Sequence, residues 1–266
     1  VGAALGVAGA VIQAYTRNPL ADPGILGVNA GAALAVIVAI WFGVASSTAA
    51  LVWPALVGAA IATLLVLLLA AAGRGPATPV RMVLAGVAMA AVFGGITTGI
   101  RLSDERTFER FRSWAAGSVA GRDLTDLAAV IPVIIVGLIV GILLVKPLNA
   151  VALGDDVAAA LGVSVATVRL ATVASVALLA GAATAVAGPI GFVGLMIPHT
   201  VRLLVGNDQT RIIPLSVLAA PTLLLVADTL ARVVVPLREV PVGIVTALIG
   251  GPVLIALIRN KAVDTQ

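Results

Sequence analysis

The chain has no cysteine, a single histidine (His199) and a single tyrosine (Tyr15). Without cysteine there is no disulfide, no thiolate metal site and no cysteine nucleophile. One histidine with no acid near it in sequence is poor support for a metal site. Charge is also scarce: 11% of 266 residues, against about 25% in an average soluble domain. Aromatics make up 3%, so interfacial Trp and Tyr belts can only be sparse. No G-x-S-x-G, H-E-x-x-H or G-x-x-x-x-G-K-[ST] pattern occurs. The chain therefore cannot hydrolyse ATP through a phosphate loop, and an intramembrane enzyme is disfavoured.

What is there instead is apolar length. Between Pro23 and Gly73 lie 51 residues without one charged side chain. About 20 apolar residues span the hydrocarbon core of a bilayer, so this stretch is room for roughly two crossings, with a bend near Ser46-Ser47-Thr48. Mean hydropathy is +1.19. Charges punctuate nine apolar runs, at 1–16, 25–43, 49–72, 81–101, 124–145, 166–187, 190–205, 211–235 and 240–259. Strands of a β-barrel would alternate polar and apolar, whereas these runs are apolar on every side. The fold class expected is all-α, a polytopic membrane helical bundle of about nine transmembrane helices. The 28 glycines suit it, because lipid gives helices no hydrophobic reason to associate and small residues allow close approach. A net charge of +4 fits the positive-inside bias of membrane proteins, so no nucleic-acid partner is inferred. The opening VGAALGVAGAVIQAY has no basic region or cleavage site before it and does not read as a signal peptide. It reads as a helix whose start lies upstream.

Three segments are polar enough to leave the membrane. In 101–126, Phe108, Phe111 and Trp114 or Ala115 share one helical face, which predicts a short amphipathic helix lying on the bilayer surface. In 146–169, Asp155 and Asp156 follow Gly154 at a predicted helix start, where acids favour the macrodipole, and Gly162 is a natural stop. The third is 202–211. Alternating the crossings places nine Lys and Arg, including Arg17, Arg74, Arg81, Lys146, Arg169 and Arg202, on one side and seven on the other. The first side is assigned to the cytoplasm. A faint echo links GAALGVAGAVI at the start with GAATAVAGPI from Gly181, each followed by a proline (Pro19, Pro198) ten residues after its VAG glycine. The two would run in opposite directions, as inverted repeats of transporters do; so Ala- and Gly-rich a chain produces such echoes by coincidence as well.

Several motifs carry chemistry or shape. Asn18, Pro19, Asp22 and Pro23 lie between two crossings, where Pro bars helix and Asn and Asp supply local hydrogen bonds; a tight loop explains them. Gly188, Pro189, Pro198 and His199 break helical structure near the membrane boundary, which is tolerated only where backbone is buried in protein or lines a cavity. His199 suits a structural polar anchor near Arg202, or a ligand or relay role. Asp228 and Arg232 are spaced i, i+4, on one helix face. Ionisable residues inside a membrane are functional candidates, yet a self-neutralising pair fits equally.

The segments RNPLADPGILGVNAGAAL (Arg17–Leu34), RMVLAGVAMAAV (Arg81–Val92), FRSWAAGSVAG (Phe111–Gly121), LNAVALGDDVAAALGV (Leu148–Val163), GPIGFVGLMIPHTVR (Gly188–Arg202), LLLVADTLAR (Leu223–Arg232) and VPVGIVTALIGGPVLIALI (Val240–Ile258) resemble the membrane subunits of type II ABC importers. These permeases move ferric siderophores, haem and cobalamin. The match runs in family order over nearly the whole chain, and TRNPLADPGILGVNAGA and ATAVAGPIGFVGLMIPH are most like ferric-siderophore permeases of the catecholate (enterobactin) type. Family members have ten crossings with both ends cytoplasmic, so nine implies a missing first helix. The whole chain, 1–266, is expected to be one transmembrane permease domain.

What the resemblance implies is a division of labour. Leu153, Gly154, Asp155, Asp156, Ala160, Leu161, Gly162 and Val163 match the cytoplasmic loop that couples to the ATPase. Arg232 matches a family arginine that pairs with a glutamate of the substrate-binding protein, with Asp228 orienting it. Pro76, Ala77, Thr78 and Pro79 match the cytoplasmic gate, and the helix from Arg81 should line the path. The implied partners are a second permease subunit (identical or related), two ATP-binding subunits, an extracytoplasmic siderophore-binding protein and membrane lipid. The implied location is the bacterial cytoplasmic (inner) membrane. No cofactor is expected in this chain, ATP and Mg being held by the ATPase subunits, and no metal ligand, since iron should cross inside its chelator. Haem or cobalamin import by the same fold is the alternative. An ion-coupled secondary transporter is a poorer one, because it needs mid-membrane carboxylates and only Asp228 is near a crossing centre.

Overall fold

A computed structural model of the chain describes residues 1–45, 47, 49–72, 78–122, 124–234 and 240–263. Their regular structure is helical throughout: α1 (Gly2–Thr16), α2 (Val28–Trp41), α3 (Val52–Ala71), α4 (Pro79–Ser103), α5 (Glu105–Ala115), α6 (Leu124–Leu143), α7 (Val145–Ala152), α8 (Asp155–Ala160), α9 (Val165–Ala187), α10 (Val193–Val205), α11 (Gln209–Val234) and α12 (Val242–Val263). Short 3-10 turns at Pro23–Leu26 and Ala49–Leu51 precede α2 and α3. Among the described residues four helices, α3, α4, α9 and α11, are long and apolar enough to cross a membrane; α6 and α7 pass the same test only together, bent by 47° at their join. The shorter apolar helices α1, α2, α10 and α12 complete the set. α1 to α4, α6 and α9 to α12 fall on the nine apolar runs of the sequence, whereas all of α7 but Val145 lies in the polar segment 146–169. Of the bend expected at Ser46-Ser47-Thr48, Ser46 and Thr48 lie outside the described residues.

Helix ends follow local chemistry. Thr78 caps α4 by accepting from the Arg81 N–H (3.4 Å), with Pro79 at the first turn where its missing N–H costs nothing. Asp104 caps α5 through the Thr107 N–H (2.7 Å) and Ser164 caps α9 through the Thr167 N–H (3.4 Å).

The centre of the bundle is α1, which packs on α9, α10 and α11, while α9 in turn packs on α3 and α6. Apolar side chains alone do not hold helices together in lipid; close backbone approach does. A methyl group added at Gly31 of α2 would lie 2.4 Å from the Gly58 carbonyl oxygen of α3, and one at Gly58 would lie 2.3 Å from the Gly31 oxygen. Buried polar groups bridge helices: Ser175 donates to the Gly137 carbonyl (2.9 Å), and Thr184 donates to the Asn29 side chain (2.8 Å).

One expectation is corrected. α5 does not rest its aromatic face on lipid. Thr107, Phe111 and Trp114 are buried, and the helix packs on α2 and α4. Arg101 of α4 stands over the rings of Phe108 (5.2 Å) and Phe111 (5.6 Å) and holds the corner. The echo between the two VAG stretches also stops short of structural equivalence. Gly9 is inside α1, whereas Gly188 ends α9 in the left-handed region (φ 73).

Candidate functional site: the two ends of the bundle and the broken helix between them

At one end α1 stops with Arg17 in the left-handed conformation (φ 51), its N–H and that of Asn18 returning to the carbonyls of Ala14 and Gln13. The connector then folds on itself: Asn18 accepts from the Leu20 N–H (2.9 Å) and Asp22 from the Gly24 N–H (2.7 Å). The Arg17 side chain turns to the α7–α8 corner. Its Nε donates to the Val151 carbonyl (2.9 Å) and its terminal nitrogen pairs with Asp155. Beside it the Arg169 Nε donates to the Tyr15 hydroxyl (3.2 Å). Thr78 and Pro79 help to line the small cleft, about 110 Å³, that remains between these groups. Pro76 and Ala77 lie outside the described residues.

α7 is fastened from its other side. Asn149 donates to the Asp208 carboxylate (2.7 Å) and accepts from the Gln209 N–H (2.9 Å) at the start of α11. Asp208 also accepts from the Thr210 hydroxyl (2.7 Å) and N–H (2.9 Å). The Thr210 donors, with help from Asn149, hold its carboxyl below the usual aspartate range. Between the fasteners, Gly154 (φ 118) turns the chain into α8, and Gly162 (φ 79) follows its end. Leu153, Val157 and Leu161, spaced by four, are exposed at 66%, 45% and 62%, with Asp155, Asp156 and Ala160 exposed among them.

From this end a broken helix runs into the bundle. α9 ends at Gly188, Pro189 follows, and α10 starts after Phe192, a non-glycine residue at φ 69. α10 lies hard against α1: a methyl group on Gly9 would sit 1.7 Å from the Gly194 oxygen. Pro198, inside α10, has no N–H for the Gly194 carbonyl four residues back. The Gln13 side chain, 1% exposed, supplies a donor instead, reaching the Leu195 carbonyl at 2.9 Å and that of Gly194 at 3.5 Å. Arg202 donates to the oxygen of the same Gln13 amide (3.2 Å). Pro23 also meets Gly194, so the two Pro/Gly motifs come together in space. His199 is buried in α10. Among the described residues no three His, Cys, Asp or Glu side chains are grouped to hold a metal ion.

At the opposite end, Arg232 pairs with Asp228 at 2.9 Å, the arginine half exposed and the acid mostly covered. Asp228 shares an apolar hollow of about 350 Å³ with Val119, Arg122 and Leu224. The elbow after α9 also reaches this end. Ser118 donates to the Ala187 carbonyl (2.7 Å), and Gly243, at the start of α12, donates to that of Gly117 (3.0 Å).

Sequence reasoning missed Gln13, Asn149, Asp208 and Arg101. Gln13 had a usable signal, since it is the one amide in the apolar helix α1. Asn149 and Asp208 are ordinary loop-type residues whose partnership exists only in the fold.

The comparisons with known proteins agree with this architecture. Residues 1–260 match the profile of the FecCD transport family. The chain is 48% identical over 262 residues to the ferric enterobactin transport system permease protein FepD of Escherichia coli (strain K12), covering 98% of this chain and 78% of that protein. It is 39% identical over 266 residues to the hemin transport system permease protein HmuU of Yersinia pestis, covering 98% and 79%. A solved structure of an inward-facing metal-chelate type ABC transporter superposes with a TM-score of 0.88 at 30% identity, over 97% of this chain and 83% of that one.

Proposed function

The chain belongs to the FecCD transport family, and from that premise we propose that it is the permease subunit of an ABC importer that carries a ferric siderophore across the bacterial cytoplasmic membrane. Two such subunits, identical or related, enclose the path. Two ATPase subunits hold ATP and Mg and perform hydrolysis, while a siderophore-binding protein delivers cargo outside. The siderophore class rests on the higher identity to the ferric enterobactin permease than to the haemin permease.

The observation that carries the transport mechanism is the surface of α8. Leu153, Val157 and Leu161 are exposed apolar side chains before, within and just after α8, a short helix with acids in its first turn. Apolar side chains exposed together around one short helix invite a protein groove, and here the partner is the ATPase. Thr78 and Pro79 belong to the gate on the same side, and Arg232 receives the binding protein on the other. α4 is buried along a narrow stripe of Met82, Gly86, Thr97 and Ile100, with open space at Gly94, Gly95 and Gly99, as suits a helix beside the path. Iron crosses within its chelator, and affinity resides in the binding protein.

The test is uptake of radiolabelled ferric siderophore into proteoliposomes holding the complete importer, wild type against Arg232→Glu. Uptake that needs ATP and binding protein, and falls in the variant, is expected. ATP-independent uptake that collapses with the proton gradient would overturn the importer reading. Wild-type rates in Arg232→Glu would move the docking site elsewhere.

A further inference from the structure

The left-handed position that ends a helix usually falls to glycine, because a Cβ there is disfavoured. α1 ends with Arg17 at φ 51. The ion pair it makes does not account for that choice as stability, since its members are 43% and 61% exposed and surface pairs contribute little. What only an arginine fork supplies is geometry. One guanidinium holds the Val151 carbonyl near the end of α7 and the Asp155 carboxylate at the start of α8. It thereby bridges the Leu153–Gly154 corner, adding a side-chain tie beside the Gly154 N–H bond to the same Val151 carbonyl (3.1 Å), at a turn whose φ of 118 favours glycine. The root of the side chain is itself fixed, because the N–H groups of Arg17 and Asn18 bond back into α1.

One helical turn further in, α1 is tied to the broken helix α10. Gln13 donates to Leu195 and accepts from Arg202, and Gly9 touches Gly194. α10 continues backwards through the Gly188–Phe192 elbow to the far end, where the Ala187 carbonyl is bonded to Ser118. Thus α8, Arg17, α1, Gln13, α10 and the elbow form an unbroken series of contacts from one end of the bundle to the other.

We propose that Arg17 is the positioning residue that transmits movement of α8 into the membrane, locking the α7–α8 corner to α1 so that α1 and α10 follow α8 as one body. This rests on the importer reading and adds to it the route by which ATPase closure reaches the outer end. An interior series of contacts is not by itself coupling, so the claim is about a measurable loss when Arg17 alone is changed.

Arg17→Gly separates the roles, because it relaxes the backbone while removing the fork. In proteoliposomes of the complete importer, the variant should co-purify with its ATPase subunits and unfold at or above the wild-type temperature. Siderophore taken up per ATP hydrolysed should fall about tenfold, within the usual range for coupling between sites, and stimulation of ATPase by loaded binding protein should disappear. Arg17→Lys, which keeps the charge near Asp155 without the fork to Val151, should lose part of the ratio and carries the test should the glycine variant not assemble. Asp155→Asn should lose part of the same ratio and add nothing to Arg17→Gly. A wild-type ratio in the folded variants, or an additive double variant, overturns the proposal. Absence of ATP-dependent uptake in the wild type would instead overturn the importer reading.

Discussion

Gly9 of α1 and Gly194 of α10 meet backbone to backbone, with no room for a methyl group between them: one added to Gly9 would lie 1.7 Å from the Gly194 oxygen. In a free helix Gly→Ala favours the helix by about 1 kcal/mol. Here the sign should reverse. Gly9→Ala must push α1 from α10, at the 1–3 kcal/mol or more of an overpacked core, and pull Gln13 off the Leu195 carbonyl. Thermal unfolding of the detergent-solubilised protein should show a clear drop for Gly9→Ala. Gly99→Ala, with nothing within 4 Å, should leave the midpoint unchanged or raised.

Gln13→Leu tests the polar tie directly. Leucine fills a similar volume but removes the donor to the Leu195 carbonyl and to the Gly194 carbonyl, which the Pro198 nitrogen cannot serve, and leaves Arg202 without its amide acceptor. Polar contacts inside membranes are worth about 1–2 kcal/mol at most, so a modest fall in the unfolding midpoint is expected. A midpoint equal to wild type would mean that the amide does not secure α10.

Much of the fold was legible because lipid imposes a severe rule: every crossing must be apolar, so Arg17, Arg81, Lys146, Arg169 and Arg211 mark where crossings stop. The start of α8 was legible for a local reason, in Gly154-Asp155, whereas the Thr78-Pro79 cap places the start of α4 two residues before Arg81. What escaped reading depended on partners far away in sequence. The Phe108, Phe111, Trp114 face of α5 reads the same whether lipid or protein covers it, and only the fold says that α2 and α4 do. Gln13 answers a donor missing at Pro198, a pairing with no local signature. Among 28 glycines, nothing in the sequence singles out Gly9 and Gly194 as the pair that touches.

Asp208 gives a pH-dependent contribution whose sign is fixed. Its carboxyl is held below the usual aspartate value by the Thr210 donors and Asn149. A carboxyl lowered in the folded state stabilises that state above its unfolded pKa, about 3.9, and loses the effect as pH falls through the folded value. Asp208→Asn should therefore lower the unfolding midpoint by a constant amount from about pH 8 to 5, and the gap to wild type should narrow only below about pH 4. A gap independent of pH down to the acid limit would show that the charge of Asp208 does not matter and that only its shape does.

The Asp228–Arg232 pair admits a test whose two readings differ in sign. With Arg232 as the proposed docking residue, an Asp228 that merely neutralised it would, once uncharged, let attraction to an acidic partner strengthen. The burial favours orientation: Asp228 is 19% exposed, while Arg232, 2.9 Å from it, is 52% exposed. On that basis Asp228→Asn should weaken binding of the loaded binding protein by about 2–5-fold, matching the roughly 0.5–1 kcal/mol of a part-exposed pair. The affinity should still fall with added salt, because the charge of Arg232 remains. Arg232→Glu should weaken binding much further, since it sets like charges against each other. Titration of labelled binding protein onto the importer in nanodiscs at two salt concentrations reads both effects. Tighter binding by Asp228→Asn would assign the acid to neutralisation and leave the direction of Arg232 to its own helix.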